Sequence, residues 1–161
     1  MKILSFDQST KVTGWSLFVD GGYVDSGVID LGKNKNTEDR SKQMGLAICK
    51  VITDNKPDTV IIEEVAMQSN AQTLKLLARI QGVAIGFCAA HNIPLHILEP
   101  SKWRSQLSFK QGRAVKREEL KQQSLDYVKD NFGFDNFSED RCESICINVA
   151  AHKIFDFDDE I

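Results

Sequence analysis

Hydrophobic period changes along this chain in an order that leaves few folds open. Residues 2–31 carry three strand-length stretches: Ile3-Leu4-Ser5-Phe6 ending on Asp7, a run over 12–19, and a run over 23–31 that returns after the hairpin signal Asp20-Gly21-Gly22. Helical and strand patterns then alternate. Thr37 is the expected N-cap of a helix, with Glu38 and Asp39 in its first turn and Met44, Ala47, Ile48 and Val51 on one face. An apolar strand over 58–65 follows, continuous enough to be covered on both sides. Then come a long helix over 70–91, a fifth strand over 93–98, a lysine-rich helix over 114–131 and a last helix over 138–155. Strands separated by helices must be joined by crossovers, so the later strands run parallel to the first. The expected fold is α/β: a mixed five-stranded sheet, three strands antiparallel and two further strands parallel, with helices on both faces. Residues 1–155 form one domain in this reading, and 156–161 form an acidic tail.

That sheet gives four scattered acids a reason to meet. Functional groups gather at the carboxyl ends of parallel strands, where Asp7 and Glu63 both stand. Adjacent strands lie about 4.8 Å apart, so two such carboxylates can share an ion if their strands are neighbours. Glu64 competes with Glu63, because successive strand residues point to opposite faces. Asp140 and Glu143 lie three apart near the start of the last helix and share a face. Glu139 and Asp140 also suit a first turn for dipole reasons alone, after Ser138 as N-cap. Glu143 heads the row Glu143, Ile147, Ala150, Ile154, which is otherwise apolar and should face the sheet. Acids turned inward need a cation. Oxygen donors suit Mg²⁺, with Mn²⁺ as substitute, and a pair of such ions can drive phosphodiester hydrolysis.

Overall charge says little, at −3. Its distribution says more. Between Pro100 and Leu125 stand Lys102, Arg104, Lys110, Arg113, Lys116, Arg117 and Lys121, opposed by Glu118 and Glu119 alone. A solvated helix face would have this composition, but the basic residues are expected to begin in a loop, with Trp103 between two of them, as a phosphate-binding segment would. Core packing is the ordinary role for Trp103. Cys49, Cys88, Cys142 and Cys146 lie in helical segments among apolar neighbours and read as reduced core thiols. Cys142, Cys146 and His152 lack the paired spacing of a zinc site. No apolar run is expected to reach the roughly 20 residues of a membrane span, and no signal peptide is visible. The expected location is the cytoplasm, that of a bacterial host if the chain is phage-encoded.

From Ile3 to about His152 the chain resembles the RuvC-type Holliday-junction resolvases of the ribonuclease H-like superfamily, and small bacteriophage versions in particular. The resemblance rests on Ile3-Leu4-Ser5-Phe6-Asp7-Gln8-Ser9-Thr10-Lys11-Val12-Thr13-Gly14-Trp15, on Ile61-Ile62-Glu63-Glu64-Val65, on residues 70–84 with Leu74-Lys75-Leu76 and Gln81-Gly82-Val83-Ala84, and on Asp140-Arg141-Cys142-Glu143-Ser144-Ile145. It implies a metal-dependent endonuclease, acting as a homodimer on four-way and other branched DNA, that leaves 5′-phosphate and 3′-hydroxyl nicks. It implies Asp7, Glu63, Asp140 and Glu143 as catalytic metal ligands, with Glu63 chosen over Glu64. Lys102 and Lys116 would lie near the scissile phosphate, and Arg104, Lys110, Arg113 and Arg117 would contact DNA with them. The chain departs from the pattern in having Glu143 where the family commonly has aspartate, and Ala66 where relatives can carry a base-stacking aromatic. The acidic tail after His152 has no evident role in the family.

Two other functions fit parts of the chain. A protein that grips branched DNA without cutting needs only the basic segment. Phe6-Asp7-Gln8-Ser9-Thr10 also resembles the first phosphate loop of actin-like and sugar-kinase ATPases, but those need a second such domain, and no second phosphate motif is present.

Overall fold

A computed structural model describes residues 1–67, 70–155 and 157. Five strands form one sheet: β1 (Lys2–Asp7), β2 (Val12–Val19), β3 (Gly22–Asp30), β4 (Thr59–Glu63) and β5 (Leu95–Leu98), in the order β3-β2-β1-β4-β5. β1, β2 and β3 are antiparallel neighbours, while β4 and β5 run parallel to β1. This is the expected mixed sheet. The β2–β3 turn places Asp20 and Gly21 at φ +49° and +76°, the left-handed pair that a two-residue hairpin needs.

Helices α1 (Thr37–Asn55) and α2 (Ala71–Ala90) cover one face; α3 (Pro100–Gln106), α4 (Arg117–Phe132) and α5 (Glu139–Phe155) cover the other. Side chains sort between the two cores with period 2. Leu4, Phe6, Val60 and Ile62 pack with Met44, Ile48, Ile80 and Ala84 under α1 and α2. Ile3, Phe18 and Ile61 pack with Trp103, Val128, Ile145 and Ile147 under α3–α5.

α5 docks through polar groups. The Ser144 carbonyl accepts from Ser5 Oγ at 2.8 Å and Ser16 Oγ at 3.0 Å. Asn148 Nδ2 donates to the carbonyls of Ile3 at 3.1 Å and Ser16 at 3.2 Å. These residues are wholly buried, so the bonds replace water rather than compete with it.

Several expectations are corrected. The first helix is capped by Asn36, whose side chain accepts from Asp39 N, and not by Thr37. The basic segment does not begin in a loop: Pro100 at the first position opens α3, which holds Lys102, Trp103 and Arg104. α4 starts at Arg117, three residues later than expected from the lysine-rich pattern. α2 does reach the length and mean hydropathy (1.3) of a membrane span. Lys75 and Arg79 interrupt its apolar run in sequence, and Ile80, Ala84 and Cys88 pack into the core beside α1. Of the expected acidic tail, only Phe157 belongs to the described residues, and it is buried beside His96 and His152.

Candidate active site

The register of β1 and β4 decides which acids meet. Ser5 pairs with Ile61 and Phe6 with Ile62, so the end of β1 lies level with the end of β4. Ser5 and Ile61 face α5, and one more pleat each way puts Asp7 and Glu63 on that same face. Asp7 is also the register partner of Gly14 on β2. A Cβ on Gly14 would lie 1.9 Å from the Asp140 carbonyl oxygen. Glycine there is what lets the first turn of α5 touch the sheet, and that turn carries Asp140 and Glu143 to Asp7.

Carboxylate oxygens of Asp7, Asp140 and Glu143 lie within 4.8 Å of one another. Glu63 joins them from β4, and all four acids line one cleft of about 480 Å³. Burial raises the Asp7 carboxyl well above its ordinary value, and Glu143, Glu63 and Asp140 raise it further by repulsion. Glu63 and Glu143 are raised as well, by burial first; Trp103 and Arg104 hold Glu63 down, and Asp7 and Arg104 hold Glu143 down. Asp140 is raised by burial, against the pull of Lys121. Four crowded, half-dehydrated carboxylates fit a divalent cation by donor type, and the charge they cannot carry together is what such an ion would neutralise. Among the described residues Asp7, Asp140 and Glu143 are close enough together to hold one, with Glu63 on the same cleft wall.

The short helix α3 contributes two adjacent residues. Trp103 is fully buried, edge-on to Phe109, and its indole N–H donates to Glu63 Oε1 at 2.8 Å. Its expected core role is joined by one at the site. Arg104 stacks over that indole, 4.9 Å from the ring centre, and its Nη2 stands 3.9 Å from Glu63 Oε1 and 3.9 Å from Glu143 Oε1. The Glu63 carbonyl accepts from Gln81 Nε2 at 3.2 Å. Thr13 Oγ1 and the Ser9 backbone exchange bonds across the 9–13 turn at the cleft edge, and Arg40 clamps Thr10 O from α1 at 2.8 Å.

The basic residues divide. Arg104, Arg117 and Lys121 line the acidic cleft, and Lys121 pairs with Glu139. Lys102 does not: it borders a separate depression with Ser101, Ser105, Gln106 and Ile154. Pro100 and Arg104, one turn apart, share the cleft side of α3, so a residue halfway between them projects away. Lys116 is exposed at the N-cap position of α4, where its side chain makes no capping bond, and Lys110 and Arg113 are exposed on the connecting loop. Glu64 Oε1 accepts from the Val65 backbone at 2.7 Å. Ala66 lines the cleft mouth, and Gln68 lies outside the described residues. Sequence reasoning missed Gly14, Gln81 and the place of Lys121. The proline after Glu99 was the available signal for α3, and so for the direction of Arg104.

The family model "Crossover junction endodeoxyribonuclease RuvC" matches residues 3–122, well over half of the chain. Asp140 and Glu143 lie beyond that match. The RuvC of Trichlorobacter lovleyi is 27% identical over 122 residues, covering 73% of this chain and 68% of that protein. The RuvC of Vibrio vulnificus is 32% identical over 98 residues, 58% and 56% of the two chains. In fold, the chain is similar to Thermus thermophilus RuvC solved in complex with a Holliday junction substrate, with TM-score 0.73, 13% identity, and 97% and 94% of the chains covered. It is also similar to the yeast mitochondrial Holliday junction resolvase, with TM-score 0.56, 16% identity, and 92% and 76% covered. On the family match, with the fold and the acid cluster at the β1 and β4 ends in agreement, the chain belongs to the crossover junction endodeoxyribonuclease RuvC family.

Proposed function

We propose that this protein is a divalent-metal-dependent endonuclease that resolves four-way DNA junctions by paired nicks leaving 5′-phosphate ends. The observation that carries the reading is the meeting of Asp7, Asp140 and Glu143, their oxygens within 4.8 Å, in a cleft that Glu63 also lines. Asp7, Glu63, Asp140 and Glu143 would hold Mg²⁺, or Mn²⁺ in its place. When bound, such ions supply Lewis-acid stabilisation of phosphoryl oxygens and a more acidic water. The chain's own residues do the positioning. Asp7 sits at the centre of the acids on a strand end that β2 and β4 flank on either side. Trp103 fixes the direction of the Glu63 carboxylate through one hydrogen bond. Arg117 and Lys121 face the cleft and offer fixed positive charge to a phosphate backbone entering it. Lys110, Arg113 and Lys116, exposed on the approach to α4, extend that charge along the duplex arm. Lys102, on the far side of α3, would take a more distant phosphate.

A homodimer would bring two such clefts to one junction. The exposed residues Ala78, Gly82, Ile85 and Ala89 form an apolar row on α2 that could pair with a second copy. Nicking of a synthetic four-way junction in Mg²⁺ or Mn²⁺ tests the activity. An Asp7→Asn protein that cuts as fast as wild type would remove the assignment, and tight junction binding without nicks in any divalent ion would leave a binder.

A further inference from the structure

Arg104 occupies a position that a phosphate-binding residue alone would not explain. Its guanidinium lies 3.9 Å from Glu63 Oε1 and 3.9 Å from Glu143 Oε1, between two acids assigned above to the metal. The separations are those of ion pairs without hydrogen bonds. Its Nε is buried and has no acceptor among the described residues. The guanidinium carbon lies over the indole of Trp103, 4.9 Å from the ring centre. Arg104 is thus held by charge and by contact with the indole, with its Nε donor unused among the described residues.

We propose that Arg104 is an internal counter-cation that bridges Glu63 and Glu143 in the metal-free protein and couples metal entry to DNA binding. This rests on the metal-dependent reading above. An arginine keeps its charge at any working pH, so it cannot yield to a second cation by losing a proton. A divalent ion drawing on Glu63 and Glu143 repels the guanidinium and takes its partners. The freed fork matches a phosphate in geometry and charge, and Arg117 and Lys121 on the same cleft wall mark where the backbone would run. DNA therefore gives the displaced arginine a new partner, and metal binding tightens. By linkage, metal tightens DNA binding by the same factor. Protein without DNA holds its metal weakly, which limits cutting of the wrong substrate.

The test is Mn²⁺ affinity measured by calorimetry, with and without a phosphorothioate-blocked four-way junction. In the wild type the junction should tighten Mn²⁺ binding about tenfold, a usual size for such coupling. Arg104→Gln without DNA should already bind about tenfold more tightly than wild type, with little further gain from the junction. Lys121→Gln removes the same charge from the same cleft but touches neither Glu63 nor Glu143 in an ion pair, and should move Mn²⁺ affinity far less. Equal Mn²⁺ affinity in wild type and Arg104→Gln overturns the inference alone, as does an equal effect of the two substitutions. No ion binding by either protein overturns the metal-dependent reading, and the inference falls with it. A second measurement needs no variant: the Arg104 Nε–Hε NMR signal of the wild type should shift during a Mg²⁺ titration. A signal that stays fixed while Mg²⁺ binds overturns the inference even if Arg104→Gln fails to fold.

Discussion

Asp7 is held where its charge is least welcome. Burial and three neighbouring acids keep its carboxyl protonated above the ordinary aspartate range. The folded protein therefore keeps protons that the unfolded chain has already lost, and metal-free stability falls as pH rises from about 4. Glu63, Asp140 and Glu143 shift in the same direction, opposed by Arg104 and Lys121. Asp7→Asn should raise the melting temperature in EDTA, by a margin that grows between pH 5 and 8, while lowering nicking by about a thousand-fold or more. Thermal melts across that pH range check the first part, and a variant melting below wild type at pH 8 would contradict it. Mg²⁺ should stabilise the wild type, by about 2.7 kcal/mol at a hundred times its dissociation constant, and leave Asp7→Asn unmoved. The acids were legible in the sequence because inward-facing carboxylates break the expected pattern. Glu63 could not be separated from Glu64 by residue type, since that choice depends on the β1–β4 register. Lys102 and Arg104 look interchangeable in a basic string, and only the start of a seven-residue helix at Pro100 sets them on different sides.

At the level of elements, the site depends on how closely α5 approaches the sheet. Asp140, Ser144, Asn148 and His152 follow one another at four-residue spacing and ride over Gly14, Ser16, Ile3 and Phe18. This polar row runs beside the row from Glu143 to Ile154 that the sequence pattern pointed to, whose Ile147 and Ala150 are fully buried against the sheet. Hydrophobic periodicity finds stripes of apolar residues and passes over a stripe of buried hydrogen bonds, so the helix and its apolar face were legible and the polar half of its docking was not. Gly14→Ala puts a methyl group into the Asp140 carbonyl, a backbone atom that cannot rotate away. The first turn of α5 must lift, carrying Asp140 and Glu143 from Asp7. The expected cost is about 1–3 kcal/mol in stability, with a larger proportional loss of metal affinity than of melting temperature. Calorimetric Mn²⁺ titration beside denaturant unfolding separates the two. Full metal affinity in a destabilised Gly14→Ala protein would show that the acids do not depend on this contact. Trp103→Phe tests the other wall. It keeps an aromatic ring, smaller than the buried indole, and loses the hydrogen bond to Glu63, so stability should fall by about 1–3 kcal/mol, read from denaturant midpoints.

For the whole molecule, sheet order was legible because a hairpin followed by crossovers allows few arrangements. Pairing between copies was legible only as a question, because small residues in a helix serve packing within a chain as well as between chains. Gly82 and Gly86 now divide those roles: a Cβ at either meets nothing within 4 Å, so neither glycine is needed inside the protomer. Gly45 differs, its added Cβ falling 3.1 Å from the Val83 side chain across α1 and α2. Gly82→Arg should therefore leave the protomer folded, and should raise helix propensity by as much as about 1 kcal/mol. If α2 pairs with its copy, the same change buries an unpaired charge from each protomer at the interface, and the dimer dissociates. Light scattering should move from twice 18.1 kDa toward 18.1 kDa. Each freed protomer keeps its acids, its arginine and its cleft, so nicking should persist. What should disappear is the second cut within one encounter. A supercoiled plasmid bearing an extruded cruciform reports this directly: paired nicks give linear product, single nicks give open circles. Wild type should linearise it, and Gly82→Arg should accumulate circles at a comparable rate of first cleavage. A variant that still scatters as a dimer, or linearises the plasmid as a monomer, would place the pairing of cuts somewhere other than the α2 face.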